Sequence, residues 1–236
     1  MTLLLLMSAC ADPDDVLLEM YVTVRASSLD DSVSVRVSPN SFAGVTSRAC
    51  RALDALVPEV DGVPLFLDDA LFEDGSGRFG STSCTGGWLA TDVVAQGASR
   101  HGAVLSLTEA FQLDLGSHLQ ETAVTLHEPA DGLLVGGSTV RLTLDAAEDI
   151  RVERALAGRA PEPGLDVTDW EVVARSGDDG WSQDGLDLDF VLPERLPTED
   201  FGTWLVVWSQ SWEQPACEAV SCQVTGDQLA GVEVDW

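Results

Sequence analysis

The amino-acid sequence predicts an all-β protein built as two tandem antiparallel β-sandwich domains, and three observations carry that expectation. Apolar residues recur at every second position through most of the long runs, which puts them on one face of a strand. Gly, Pro, Asn and Asp interrupt those runs where turns belong. The chain has 236 residues, 45% of them apolar, enough for one large β-domain or two of about 100 residues each, and too apolar for a disordered chain.

Taken in order, Leu18, Met20, Val22 and Val24 alternate with Glu19, Tyr21, Thr23 and Arg25. Val33, Val35 and Val37 then alternate with Ser and Arg. The segment 45–56 is the best helical candidate, one or two turns around Cys50. Two Gly-rich stretches follow, 74–80 and Gly86-Gly87, and Thr122 to Leu126 reads as a strand. The sequence His127-Glu128-Pro129-Ala130-Asp131-Gly132 is turn-forming and marks the expected boundary between an N-terminal domain, 16–126, and a C-terminal one, 127–236. Beyond it, Val140, Leu142 and Leu144 alternate with Thr139, Arg141 and Thr143, and Leu186, Leu188 and Phe190 with Asp187 and Asp189. Each run wets one face and buries the other, as antiparallel sheets do.

Charge excludes several classes of partner. There are 40 acidic against 12 basic residues, net −28, and every basic residue is Arg. So acidic a surface repels phosphate backbones and anionic lipid, which argues against nucleic-acid binding and against charge-driven membrane association. The absence of Lys fits a GC-rich coding bias, and the acid keeps an exposed protein soluble.

The first ten residues, Met-Thr-Leu-Leu-Leu-Leu-Met-Ser-Ala-Cys, form an apolar run ending in small residues, like the tail of a signal peptide. Met7-Ser8-Ala9-Cys10 resembles the bacterial lipobox, which implies acylation of Cys10 and a new N-terminus there. No Arg or Lys precedes the run, and nine residues are fewer than the ~15–30 of a normal signal, so residues 1–10 are expected to be a truncated signal whose start lies further upstream. Residues 11–15, Ala-Asp-Pro-Asp-Asp, would be a polar tether. No stretch reaches the ~20 apolar residues that span a bilayer. The expectation is an extracytoplasmic protein anchored by lipid to the outer membrane of a GC-rich Gram-negative bacterium.

Without Cys10, four cysteines remain: Cys50, Cys84, Cys217 and Cys222. An even number in an exported chain suggests two disulfides, with three possible pairings. Joining nearest neighbours gives Cys50–Cys84 and Cys217–Cys222, worth roughly 4 and 2 kcal/mol on the chain-entropy account. A four-thiolate zinc site is the rival, but only Cys217 and Cys222 approach the paired ligand spacing that zinc uses.

The C-terminal domain resembles the immunoglobulin-like family at Asp200-Phe201-Gly202-Thr203-Trp204-Leu205-Val206, which is similar to the Asp-x-Gly-x-Tyr corner before strand F. Trp204 stands in the Tyr position and Val206 in that of the second Cys. The resemblance implies a strand F over 203–209, a loop over 210–220 that can present itself to a partner, and a last strand from about Ser221. Trp204, Val206 and Trp208 share a parity and are expected to face the core.

Candidate chemistry is sparse. The three His (His101, His118, His127) share no metal-ligand spacing, and no Gly-x-Ser-x-Gly elbow or phosphate-cradling Gly loop is present. Among 40 acids, carboxylate pairs arise by chance, so a hydrolase using paired carboxylates is only an alternative. No cofactor is expected, with the exception of Ca²⁺: Asp178, Asp179 and Asp184 sit in an oxygen-rich stretch that a hard cation could use, although the spacing is not that of an EF-hand. Trp88, Trp181 and Trp212 are expected in turns, and Trp181 and Trp212 are candidates for stacking on a sugar. The role that follows is structural or adhesive, presenting loops to a protein or glycan partner; the alternatives are a Ca²⁺-dependent or glycan-binding module and an envelope hydrolase.

Overall fold

A computed structural model describes residues 19–29, 31–39, 56–67, 72–73, 83–84, 87–108, 112–116, 118–120, 122–146, 150–158, 170–196, 203–214 and 221–236. These described residues form strands and no helix, an all-β architecture. In chain order the strands are β1 (Glu19–Ser27), β2 (Ser32–Pro39), β3 (Glu59–Val60), β4 (Val63–Pro64), β5 (Phe66–Leu67), β6 (Phe72–Glu73), β7 (Ser83–Cys84), β8 (Trp88–Ala90) and β9 (Val104–Ser106). There follow β10 (Gln112–Asp114), β11 (Ala123–Glu128), β12 (Thr139–Asp145), β13 (Val152–Gly158), β14 (Glu171–Arg175), β15 (Ser182–Asp184), β16 (Asp187–Val191), β17 (Trp204–Glu213) and β18 (Ser221–Glu233). The short helix expected over 45–56 lies outside the described residues except for Leu56.

An eight-stranded sheet in the order β14-β13-β17-β18-β1-β2-β8-β5 runs through both halves of the chain. Two four-stranded sheets, β10-β9-β3-β4 and β11-β12-β16-β15, accompany it. The join is β18, which pairs antiparallel with β17 and parallel with β1, from Glu19↔Ser221 to Ser27↔Leu229. At about 3.3 Å per residue, its 13 residues reach about 40 Å, long enough to serve both halves.

One face of the long sheet carries two cores. Met20, Val22, Val24, Val33, Val35 and Val37 bury with Leu105, Leu113, Cys222 and Val224 in the first. Val140, Leu142, Leu188, Phe190, Leu205 and Val207 bury with Ala230 and Val234 in the second. Cys222, Val224 and Ala230 on β18, and Val234 just beyond its end, have the same parity, so a single strand face begins in one core and leads into the other.

The expected boundary is redrawn by this arrangement. β11 pairs with β12, and its Val124 and Leu126 pack on the second core. The turn at 127–132 therefore joins two strands of one sheet, and the change of core falls after Leu119, the last residue of the first core before β18. Sandwich packing is present as expected, but the two halves share one sheet instead of each having its own pair.

The C-terminal strands also correct the reading of residues 203–220. β17 continues to Glu213, so Gln210 to Glu213 are strand and not loop. Leu205 and Val207 face the second core, whereas Val206 joins Leu156, Trp170 and Leu229 on the opposite face, with Trp204 and Trp208 packed beside them. The three expected core residues do share a face and pack in a hydrophobic cluster, a third and smaller one on the face opposite the second core. Trp88 is likewise not in a turn: it lies on β8 and is buried in the first core.

Candidate functional site

Cys10, Cys50 and Cys217 lie outside the described residues, and of Cys84 only the strand position is described. Cys222 is buried and is one half of a disulfide. Its partner is not among the described side chains.

Asp178, Asp179 and Asp184 are not brought together. Asp178 Oδ2 accepts the backbone N–H of Arg175 at 2.8 Å and closes a turn, while Asp184 pairs with Asp187 at the β15–β16 hairpin. Asp187 accepts the Thr143 hydroxyl at 2.6 Å, and Asp189 accepts Arg141 Nε at 2.9 Å. That hydrogen bond, with the nearby charges of Asp189, Glu128 and Asp187, holds the Arg141 guanidinium above its ordinary pKa. Among the described residues no group of three His, Cys, Asp or Glu is placed to hold a metal ion.

Trp181 follows the turn after β14. It stacks on Phe190 with ring centroids 5.7 Å apart and packs against the second core. Its edge lines a shallow groove of about 480 Å³ with Ile150, Arg151, Ser176, Gln183 and Gly185. Gln183 bridges the floor, donating to Ile150 O at 2.6 Å and accepting Val152 N–H at 3.0 Å. With one ring face taken by Phe190, Trp181 offers less to a ligand than a free ring would.

Trp212 differs: it is 58% exposed and stands on β17 itself. Its cross-strand partner is Thr225 on β18, followed by Thr23 on β1, Arg36 on β2, Leu89 on β8 and Phe66 on β5. These six residues form a transverse row on the outer face of the sheet, away from the first core. Phe66, at its far end, is 66% exposed. With strands about 4.8 Å apart, the two rings are separated by roughly 24 Å. The adjacent row is polar: Gln210 donates to Asp227 at 3.1 Å, and Arg25 approaches the other oxygen of Asp227 at 3.9 Å. Period-two alternation alone could have placed Trp212 on a strand face; the loop expected from the strand F resemblance obscured it.

On the inner face, a buried polar seam separates the cores. Thr122 donates to Gln228 Oε1 at 2.7 Å, with both residues buried. Ser211 Oγ lies 3.0 Å from His118 Nδ1, and His118 Nε2 lies 3.6 Å from Glu213. Ser211 and Glu213 are two apart on β17, so both reach one imidazole. The succession serine–imidazole–carboxylate is that of an activated nucleophile, but the His118 side chain is only 5% exposed and Gly226 packs directly against it and Ser211. These contacts tie β17 to the segment that precedes β11. Sequence spacing gave no sign of it, because His118 and Ser211 are 93 residues apart.

No known protein family matches the chain, and no curated protein matches it either.

Proposed function

We propose that this chain is a lipid-anchored, extracytoplasmic protein of the bacterial envelope whose work is to present a binding face to a partner. The observation that carries the reading is the outer face around Trp212. A strand in a two-layer sandwich normally wets its outer side with small or charged residues, yet here two large aromatic rings stand exposed on it. The lipobox resemblance at Met7-Ser8-Ala9-Cys10 supplies the anchor, and the disulfide at Cys222 fits an oxidising compartment. The pairing Cys217–Cys222 would fasten the 215–220 connection at the foot of β17 and β18.

The immunoglobulin-like reading of the C-terminal half is supported by strand order. The orders β11-β12-β16-β15 and β14-β13-β17-β18 parallel the A-B-E-D and C′-C-F-G orders of that fold, which favours the reading. The outward position of Val206 departs from it, since the family's second Cys faces inward.

Metabolic labelling with an alkyne-bearing palmitate analogue tests the anchor. Label is expected on the wild-type chain in the membrane fraction, and a Cys10→Ser variant should lose both label and membrane association. Unlabelled wild-type protein in the soluble fraction would end this reading.

A further inference from the structure

The geometry points to a binding site for an uncharged, extended oligosaccharide on the outer face of the eight-stranded sheet, anchored on Trp212. This rests on the extracytoplasmic reading above, since envelope polysaccharide is met outside the cytoplasm. Three features select the ligand. Trp212 offers a large exposed ring to the apolar face of a sugar. Thr225 and Thr23 continue the same row, and Gln210 and Arg25 flank it on the next, giving hydroxyl, amide and guanidinium groups that can bond sugar hydroxyls, while the buried Asp227 carboxylate between them holds both. The Gln210–Asp227–Arg25 contacts hold those polar groups in place before a ligand arrives, which lowers the ordering cost of binding.

The charge of the whole chain weighs against anionic polymers, although Arg36 and Arg25 stand on this face. A chain of net −28 repels sulfated and uronate polysaccharides as it repels nucleic acid. The length of the row favours a chain over a single sugar. Trp212 and Phe66 mark its two ends; Trp208, four residues from Trp212 on the same strand face, is packed beside Val206 with the Arg154 guanidinium 4.6 Å from its ring centroid, and is not part of the row. Trp181 belongs to a different surface and plays no part.

The test is affinity electrophoresis of the purified full chain through native gels containing neutral polysaccharides (β-glucan, xyloglucan, galactomannan), with dextran sulfate as the anionic control. Retardation by at least one neutral polymer is expected, and none by dextran sulfate. Trp212→Ala should weaken retardation about tenfold, equivalent to about 1.4 kcal/mol, and Phe66→Ala should weaken it less. Trp181→Ala should leave it unchanged, and unaltered near-ultraviolet circular dichroism should show the variants folded. No retardation by any neutral polymer, or retardation indifferent to Trp212→Ala, overturns the proposal. So does sedimentation showing a dimer that Trp212→Ala dissociates, which would give the face to a second copy of the chain. The purified chain needs no acyl group here, so failure of the Cys10 labelling and failure of saccharide binding are separate results.

Discussion

Gly158 on β13 leaves room for the ring of Trp170. A Cβ built there would lie 2.1 Å from ring carbons of Trp170, which is buried against Leu156 and Val206. The ring cannot swing away without opening that cluster, so Gly158→Ala should destabilise the protein by about 1–3 kcal/mol, the usual cost of overpacking. Urea unfolding measures it, and an unchanged midpoint would show that the ring has another resting place. At the seam, Thr122 and Gln228 make a buried bond whose loss is asymmetric. Thr122→Val strands the Gln228 carbonyl and Gln228→Met strands the Thr122 hydroxyl, each at about 1–3 kcal/mol. The double variant removes both polar groups and should cost clearly less than the sum of the singles. Strict additivity would mean that water already satisfies them.

At the scale of the element, β18 decides the architecture. Val224 pairs with Val22 on one side and Glu213 on the other, so its backbone sits within two ladders. Val224→Pro removes an N–H and distorts the strand where neither neighbour can compensate. It should destabilise more than a large-to-small change in either core, which costs about 2–5 kcal/mol. Trp212→Ala, on the same sheet but exposed, should stay within about 0.5 kcal/mol of wild type. Thermal melts of the two variants give the comparison.

Much of each strand was legible in the sequence because alternation fixes which face is buried. Met20, Val22 and Val24, or Val140, Leu142 and Leu144, bury as their spacing requires. Alternation does not name the neighbouring strand. The parallel pairing of Glu19 with Ser221 joins positions about two hundred residues apart, and nothing local announces it. The same blindness placed the boundary at 127–132, where turn residues are dense, although the change of core comes after Leu119. Parity did group Trp204, Val206 and Trp208 on one buried face, without saying that their core is the smaller cluster opposite the second one. Of the candidate site, Trp212 was legible as a residue type; its row of cross-strand partners was not.

For the whole molecule, the shared sheet makes a cooperative claim. Two tandem domains joined by a linker would unfold in two steps, each reporting its own half. Here the first core loses Cys222 and Val224 when β18 detaches, and the second loses Ala230 and Val234 in the same event. Fluorescence and far-ultraviolet circular dichroism should therefore trace a single coincident urea transition. Leu105→Ala lies in the first core and Leu142→Ala in the second, both fully buried. Each should shift that whole transition, by about 2–5 kcal/mol, instead of half its amplitude. Salt should move it the other way. With net −28 the folded chain repels itself, and raising ionic strength shortens the screening length from about 8 Å at 0.15 M to about 3 Å at 1 M. The midpoint should rise with NaCl in wild type and both variants by a similar amount, because the repulsion belongs to the molecule and not to either core. A transition that splits in two, with each leucine variant moving only one step, would mean that the β1–β18 pairing adds little coupling and that the halves fold alone.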